Sequence, residues 1–132
     1  YFKTQGVTVV EDWQGDPADS TGSAKTKILD LLSKYAKGEV DGVYAAWDAS
    51  ALGAYQATVQ AERTEVKVVG VDGQDFARAE VKKGGNWVAT VKQDWDGIAK
   101  AALNAIDAWL TKGTKPESVI KVPGQLITKD NA

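Results

Sequence analysis

The sequence contains no cysteine and no histidine. Those two absences remove thiol nucleophiles, disulfides, Cys/His metal sites, imidazole bases and Ser-His triads together. Missing thiols only slightly favour a compartment where a stray thiol would be a liability. Long apolar runs are also lacking. The most apolar window, Val66–Val71, is strand length and flanked by charge, far short of the roughly 18 residues a spanning helix needs. Positive charge is not in excess either. A net charge of -2 offers no basic field for nucleic acid or an anionic membrane. No Gly-rich loop with a lysine opens a helix, so there is no phosphate cradle. Internal repeats, low-complexity tracts and Gly/Ser linkers are missing as well.

What is present is ordinary for a soluble domain: 132 residues, 43% apolar and 26% charged. A core of that size buries roughly two-thirds of the unfolded surface. The chain opens on Tyr1 rather than Met, with no signal peptide before it, which suggests a processed or excised piece.

Short β-branched runs alternate with amphipathic stretches. Val7–Val10 reads as a first strand, preceded by a Tyr1–Gln5 stub that could end a helix. A polar, turn-rich segment over 11–22 leads to a helix at Ala24–Tyr35, with Ile28, Leu29, Leu31, Leu32 and Tyr35 on one face and Gly38 as its stop. Asp41–Ala46 is a second strand. Asp48 can cap a helix running from Ala49 to about Glu62. Glu65–Gly70 is a third strand, apolar enough at its centre for burial on both faces. Gln74–Lys83 reads as a short helix, Asn86–Val91 as a fourth strand and Trp95–Thr111 as a long helix. Val119–Val122 and Gln125–Thr128 close the chain as an extended pair. Trp87 and Trp109 fall on strand and helix faces and are expected in the core. The alternation predicts an α/β fold, a three-layer sandwich around a mostly parallel sheet.

In an open parallel sheet, ligands bind beyond the carboxyl ends of the strands. The residues there are Asp12 and Trp13, Trp47 and Asp48, Asp72, and Gln93, Asp94 and Trp95. Aromatic rings, carboxylates and an amide together suit a neutral polyol, whose C–H faces stack on rings and whose hydroxyls need polar partners. The ligand-binding candidates are Trp13, Trp47, Asp48, Asp72 and Gln93, each weighed against packing or helix capping. Asp72 and Asp75 form no convincing hydrolase pair, because that spacing is common at helix starts. Asp12 alone does not make the acid cluster of a phospho-receiver. No catalytic residue, cofactor or metal is expected, and the chain does not read as an enzyme.

Four segments carry a family resemblance. Asp41-Gly-Val-Tyr-Ala-Ala-Trp-Asp-Ala-Ser-Ala-Leu-Gly-Ala54 resembles an apolar strand, Asn-Asp and a helix with Ala-Leu-Gly-Ala. Val66-Lys-Val-Val-Gly-Val-Asp-Gly73 is similar to a "VVGFDG" strand end, and Trp87-Val-Ala-Thr-Val-Lys-Gln93 to an "ATVAQ" strand. Leu126-Ile-Thr-Lys-Asp-Asn131 is similar to a C-terminal signature. In this order and spacing they resemble the C-terminal lobe of type I periplasmic sugar-binding proteins, the receptors that feed ABC transporters.

The resemblance implies that two lobes close on a monosaccharide or polyol and that the closed form docks on a membrane permease. It implies that Asp72 accepts sugar hydroxyls and that Gln93 adds a polar contact beside the hinge. Trp47 stands where the family usually places an Asn, Asp48 matches the following Asp, and Trp13 lies in a loop that often supplies a stacking ring. The expected division is a sugar-binding lobe at 1–93 lacking its first strand and most of its first helix, a hinge crossing and helix at 94–113, and closing strands at 114–132. The helix would pack on a missing N-terminal lobe and otherwise expose Ile98, Leu103, Ile106 and Leu110, which predicts that the chain self-associates, swaps elements or is a piece of a larger chain. The setting is periplasmic or extracytoplasmic, with a lipid anchor conceivable in an intact parent. Two rivals remain at this point: the effector domain of a LacI-type regulator, and an interaction domain with no ligand.

Overall fold

The computed structural model describes residues 2–132, without the side chain of Lys3. Asp16, Pro17 and Asp19 start the first helix four residues earlier than its apolar face predicts. Asp16 accepts a bond from the Ala18 amide in a single 3-10 turn, Pro17–Asp19. Asp19 then caps α1 (Ser20–Lys34) by accepting from Gly22 N. α1 ends at an extended Tyr35, short of Gly38. The carbonyls at that end are taken by Arg63, whose guanidinium donates to the oxygens of Leu32, Tyr35 and Ala36 at 3.1, 2.9 and 3.0 Å.

The remaining elements are β1 (Gly42–Tyr44), α2 (Asp48–Gln60), β2 (Lys67–Asp72), α3 (Asp75–Lys82), β3 (Trp87–Lys92), α4 (Trp95–Lys112) and β4 (Gln125–Thr128). The sheet order is β1-β2-β3-β4. The first three strands are parallel, and β4 runs antiparallel along β3. Because each crossover adds its strand on the same side, α2 and α3 share one face of the sheet. The fully buried Trp87 registers this: its ring meets Tyr55 of α2 at 5.9 Å and Phe76 of α3 at 6.3 Å. Its indole N–H donates to Ala89 O, so nothing polar is left bare.

α1 lies on top of α2 and adds Ile28 and Leu32 to the same core. The two helices touch at Gly53, where an added Cβ would stand 2.2 Å from Thr21 O. Alongside, the Thr21 hydroxyl donates to Ala49 O at 2.9 Å. The opposite face of the sheet carries no packed α-helix among the described residues. Tyr44 and Leu126 stay more than half exposed there, and Phe2, in the 3-10 turn Phe2–Gln5, meets Tyr44 edge-on at 5.3 Å.

Four expectations need correction. Val7–Val10 is not a strand; its valines are exposed, and no ladder partner lies beside it among the described residues. Val119–Val122 is irregular, so of the expected closing pair only Gln125–Thr128 forms a strand, β4, along β3. Trp109 is 59% exposed, because α4 buries none of its residues and, among the described residues, packs along no other element. Of the apolar residues expected to be bare on α4, Leu103, Ile106 and Leu110 are so, whereas Ile98 is half-buried. Ile98 belongs to the first turn, where Gly97 approaches Val122. Tyr1 of the expected stub lies outside the described residues.

Candidate functional site at the strand ends

The parallel strands bring their carboxyl ends to one edge of the sheet, and three of the candidates follow from that placement. Trp47 comes just after β1, Asp72 ends β2 and Gln93 comes just after β3. Asp72 and Gln93 are in direct contact. The Gln93 side-chain amide donates to Asp72 Oδ1 at 2.7 Å, and Gln93 N reaches Asp72 O at 3.4 Å. Both residues are half-buried. Asp72 has a φ of 120°, a conformation side-chain-bearing residues rarely hold unless their surroundings enforce it. Among the described residues no protein group donates to Asp72 Oδ2. A carboxylate with one oxygen fixed by an amide and the other open is suited to accept a hydroxyl proton.

Trp47 is the N-cap residue of α2, extended and 37% exposed, with no side-chain capping bond. Its indole is available as a flat apolar surface. On the other side of Gln93, a shallow groove of about 500 Å³ is lined by Gln93, Asp94, Trp95, Pro123, Gly124 and Gln125. Asp94 caps α4 by accepting from Gly97 N at 2.9 Å, while Trp95 is 59% exposed.

Asp48 occupies a different place from the one its sequence position suggests. It is the first residue of α2, not its cap, and it is fully buried. Its Oδ2 accepts from Gln74 N at 2.9 Å and its Oδ1 from the Thr90 hydroxyl at 2.7 Å. Burial pushes its carboxyl above the ordinary aspartate range; the bonds from Thr90 and Gln74 pull it back, and neighbouring Asp72 adds to the push. Thr90 is the residue that sequence reading passed over. A threonine in an apolar strand that also carries buried neighbours is the signal that marks it.

Trp13 has no hydrogen bond or ring contact with Asp72 or Gln93 among the described residues. It lies 43% exposed over Gly15 and beside α1, in a groove with Ser23, Thr26, Lys27 and Asp30. Glu11 and Lys27 pair at 3.0 Å at the same place. Asp75, on α3, is tied up by Arg78 at 2.7 Å.

A mostly parallel α/β lobe with paired polar and aromatic groups at its strand ends is the form of a solute-binding lobe. Residues 1–115 match the family described as periplasmic binding protein domain, and the chain belongs to that family. Its curated relatives include a D-apiose import binding protein of Actinobacillus succinogenes, 38% identical over 70% of this chain and 30% of that protein. Another is a xylitol-binding protein of Mycolicibacterium smegmatis, 37% identical over 82% of this chain and 30% of that protein. The chain thus spans about a third of the length of these relatives. Among solved structures, an ABC transporter solute binding protein of Agrobacterium vitis with bound allitol superposes with a TM-score of 0.77 at 28% identity, covering 92% of this chain and 42% of that one. The relatives are sugar and polyol solute-binding proteins, so neither the regulator reading nor the ligand-free reading is favoured. Among the described residues no helix is long and apolar enough to cross a membrane.

Proposed function

We propose that this chain is the sugar-recognising lobe of an extracytoplasmic solute receptor, binding a monosaccharide or polyol for an ABC transporter permease. The observation that carries the reading is the Asp72–Gln93 pair, which joins the ends of two adjacent parallel strands and leaves one carboxylate oxygen open. Asp72 takes hydroxyl protons and Gln93 orients it. Trp47 offers a ring to the C–H face of the ligand, and Asp48 serves the frame of the site instead of touching sugar. Trp13, exposed beside α1, is a second ring that the ligand could meet from the α1 side.

The exposed stripe of Leu103, Ile106, Trp109 and Leu110 supports a second lobe as the missing half of the cleft, with 94–113 as the crossing and 114–132 as the return. Relatives longer than this chain fit that division. A single lobe supplies only part of the burial that closure gives, so its own affinity is weak.

The test is tryptophan fluorescence titrated with D-apiose, xylitol, allitol, D-allose and other pentoses and hexoses. A saturable change with one of them is expected, lost in Asp72→Ala while circular dichroism stays unchanged. A charge-assisted hydrogen bond of about 1.5–3 kcal/mol corresponds to at least a tenfold loss of affinity. Silence from every sugar up to about 100 mM, for a folded chain, would count against recognition by this lobe.

A further inference from the structure

We infer that Asp48, sealed from solvent and unable to touch a ligand, is a positioning residue that sets the geometry of Asp72 through Thr90 and the turn at 73–74. A buried carboxylate is costly, so its partners must be worth the desolvation. A first-turn carboxylate would ordinarily bond the free amides of its own helix. Asp48 instead sends Oδ2 across to Gln74 N, in the turn that leaves β2. Its Oδ1 takes the Thr90 hydroxyl proton. That fixes the hydroxyl rotor, and the Thr90 oxygen in turn accepts from Gly73 N at 3.2 Å. Both amides immediately after Asp72 are therefore held, one by a residue of α2 and the other by a residue of β3.

The neighbouring strand is shaped to admit this carboxylate. An added Cβ at Gly70 would stand 2.3 Å from Asp48 Oδ1. The clamp lies against the one residue of the site whose backbone is held at a φ of 120°. Holding the amides of 73 and 74 fixes the peptide plane that follows Asp72, and with it the direction from which the Asp72 carboxylate meets Gln93. The link to sugar recognition rests on the strand-end reading above; the clamp itself does not, and its test needs no sugar.

The experiment is residue-resolved amide hydrogen exchange of the ligand-free chain, with Asp48→Asn, Thr90→Val and Thr90→Ser, alongside the chemical shift of the Gln93 side-chain amide. Val68, whose amide donates to Asn86 O at 2.8 Å in the sheet, reports overall stability. Thr90→Val is expected to speed exchange at Gly73 by about tenfold relative to Val68 and to shift the Gln93 amide protons. Thr90→Ser, which keeps the hydroxyl, restores both. Asp48→Asn speeds exchange at Gly73 or Gln74 relative to Val68 and shifts the Gln93 signal, because a carboxamide has one acceptor oxygen for the two donors, the Thr90 hydroxyl and Gln74 N–H, that the carboxylate serves. If Asp48→Asn does not fold, the Thr90 pair decides alone. Equal acceleration at Gly73, Gln74 and Val68 would mean a merely structural group, and an unmoved Gln93 signal would mean no control of Asp72; either result overturns the inference. Failure of the sugar titration with this exchange pattern intact would instead refute the functional reading and leave the clamp standing.

Discussion

Replacing Gly53 by alanine tests whether the contact between the first two helices is as close as described. An added Cβ would lie 2.2 Å from Thr21 O, 2.9 Å from Lys25 N and 3.0 Å from the Ala24 Cβ. A carbon facing a carbonyl oxygen normally keeps about 3.3 Å or more, so α1 must retreat by about 1 Å. Two of the three obstacles are backbone, and no rotamer change relieves them. Retreat loosens Ile28 and Leu32 against α2 and stretches the Thr21–Ala49 bond. Overpacking of this kind costs about 1–3 kcal/mol, and the backbone clash puts it at the upper end. Alanine returns about 1 kcal/mol through its better helix propensity. The net loss is about 2 kcal/mol, or a fall of roughly 8 °C in Tm for a chain of this size. Thermal melts by circular dichroism measure it, with Gly85→Ala as control, since its Cβ meets only the Tyr55 hydroxyl at 3.9 Å. A Gly53→Ala chain that melts at or above the unaltered one would refute the close contact.

Other outcomes follow from the same packing. Arg63→Lys keeps the charge but cannot span three carbonyls; urea unfolding should show a loss of about 2 kcal/mol, and a midpoint unchanged from the parent would mean that water replaces the guanidinium at no cost. Burial raises the Asp48 pKa, so the folded chain keeps this proton at a pH where the unfolded chain has released it. The unaltered chain should therefore lose stability relative to Asp48→Asn as pH rises above the ordinary aspartate range; an opposite slope in paired urea titrations would show that the Thr90 and Gln74 bonds outweigh desolvation. Four of the five tryptophans are at least 37% exposed and Trp87 is not exposed at all. Acrylamide should quench most of the emission and leave a blue-shifted Trp87 remnant; if Trp109 resists quenching at micromolar concentration, α4 is covered by another copy. Light scattering then gives the oligomeric state, and Leu103→Glu with Leu110→Glu should return such an assembly to monomer.

The sequence was most legible where local pattern and long-range packing agree. The three parallel strands and the helices between them are found within a few residues of their expected bounds, because Val68 and Trp87 have to be buried wherever the chain goes. Val7–Val10 carries as strong a β-branched signal as β1, yet a strand exists only with a neighbour, and none lies beside it among the described residues. Trp109 departs from expectation for the mirror-image reason: its helical face is apolar, but no element among the described residues packs on it. At the site, Asp72 and Gln93 follow from their strand ends alone. The duty of Asp48 does not, because its partners Gln74 and Thr90 lie 26 and 42 residues further along the chain. Only the assembled sheet shows that they meet.

The late return of β4 has a consequence for how the chain comes to be finished. β3 has β2 on one side from early on, but its other side is completed only when residues 125–128 come back past the whole of α4. Until then the backbone groups of Ala89–Lys92 on that side face outward as an unpaired edge, the kind of template that invites intermolecular pairing. Ile127, at 3% exposure, is the anchor that seals it. A nascent or clipped chain ending near Gly113 would hold nearly all of the family-matched segment and still carry an open, adhesive flank. β4 thus works as a latch on β3: once Gln125–Thr128 has paired, that flank of β3 is no longer offered to another copy.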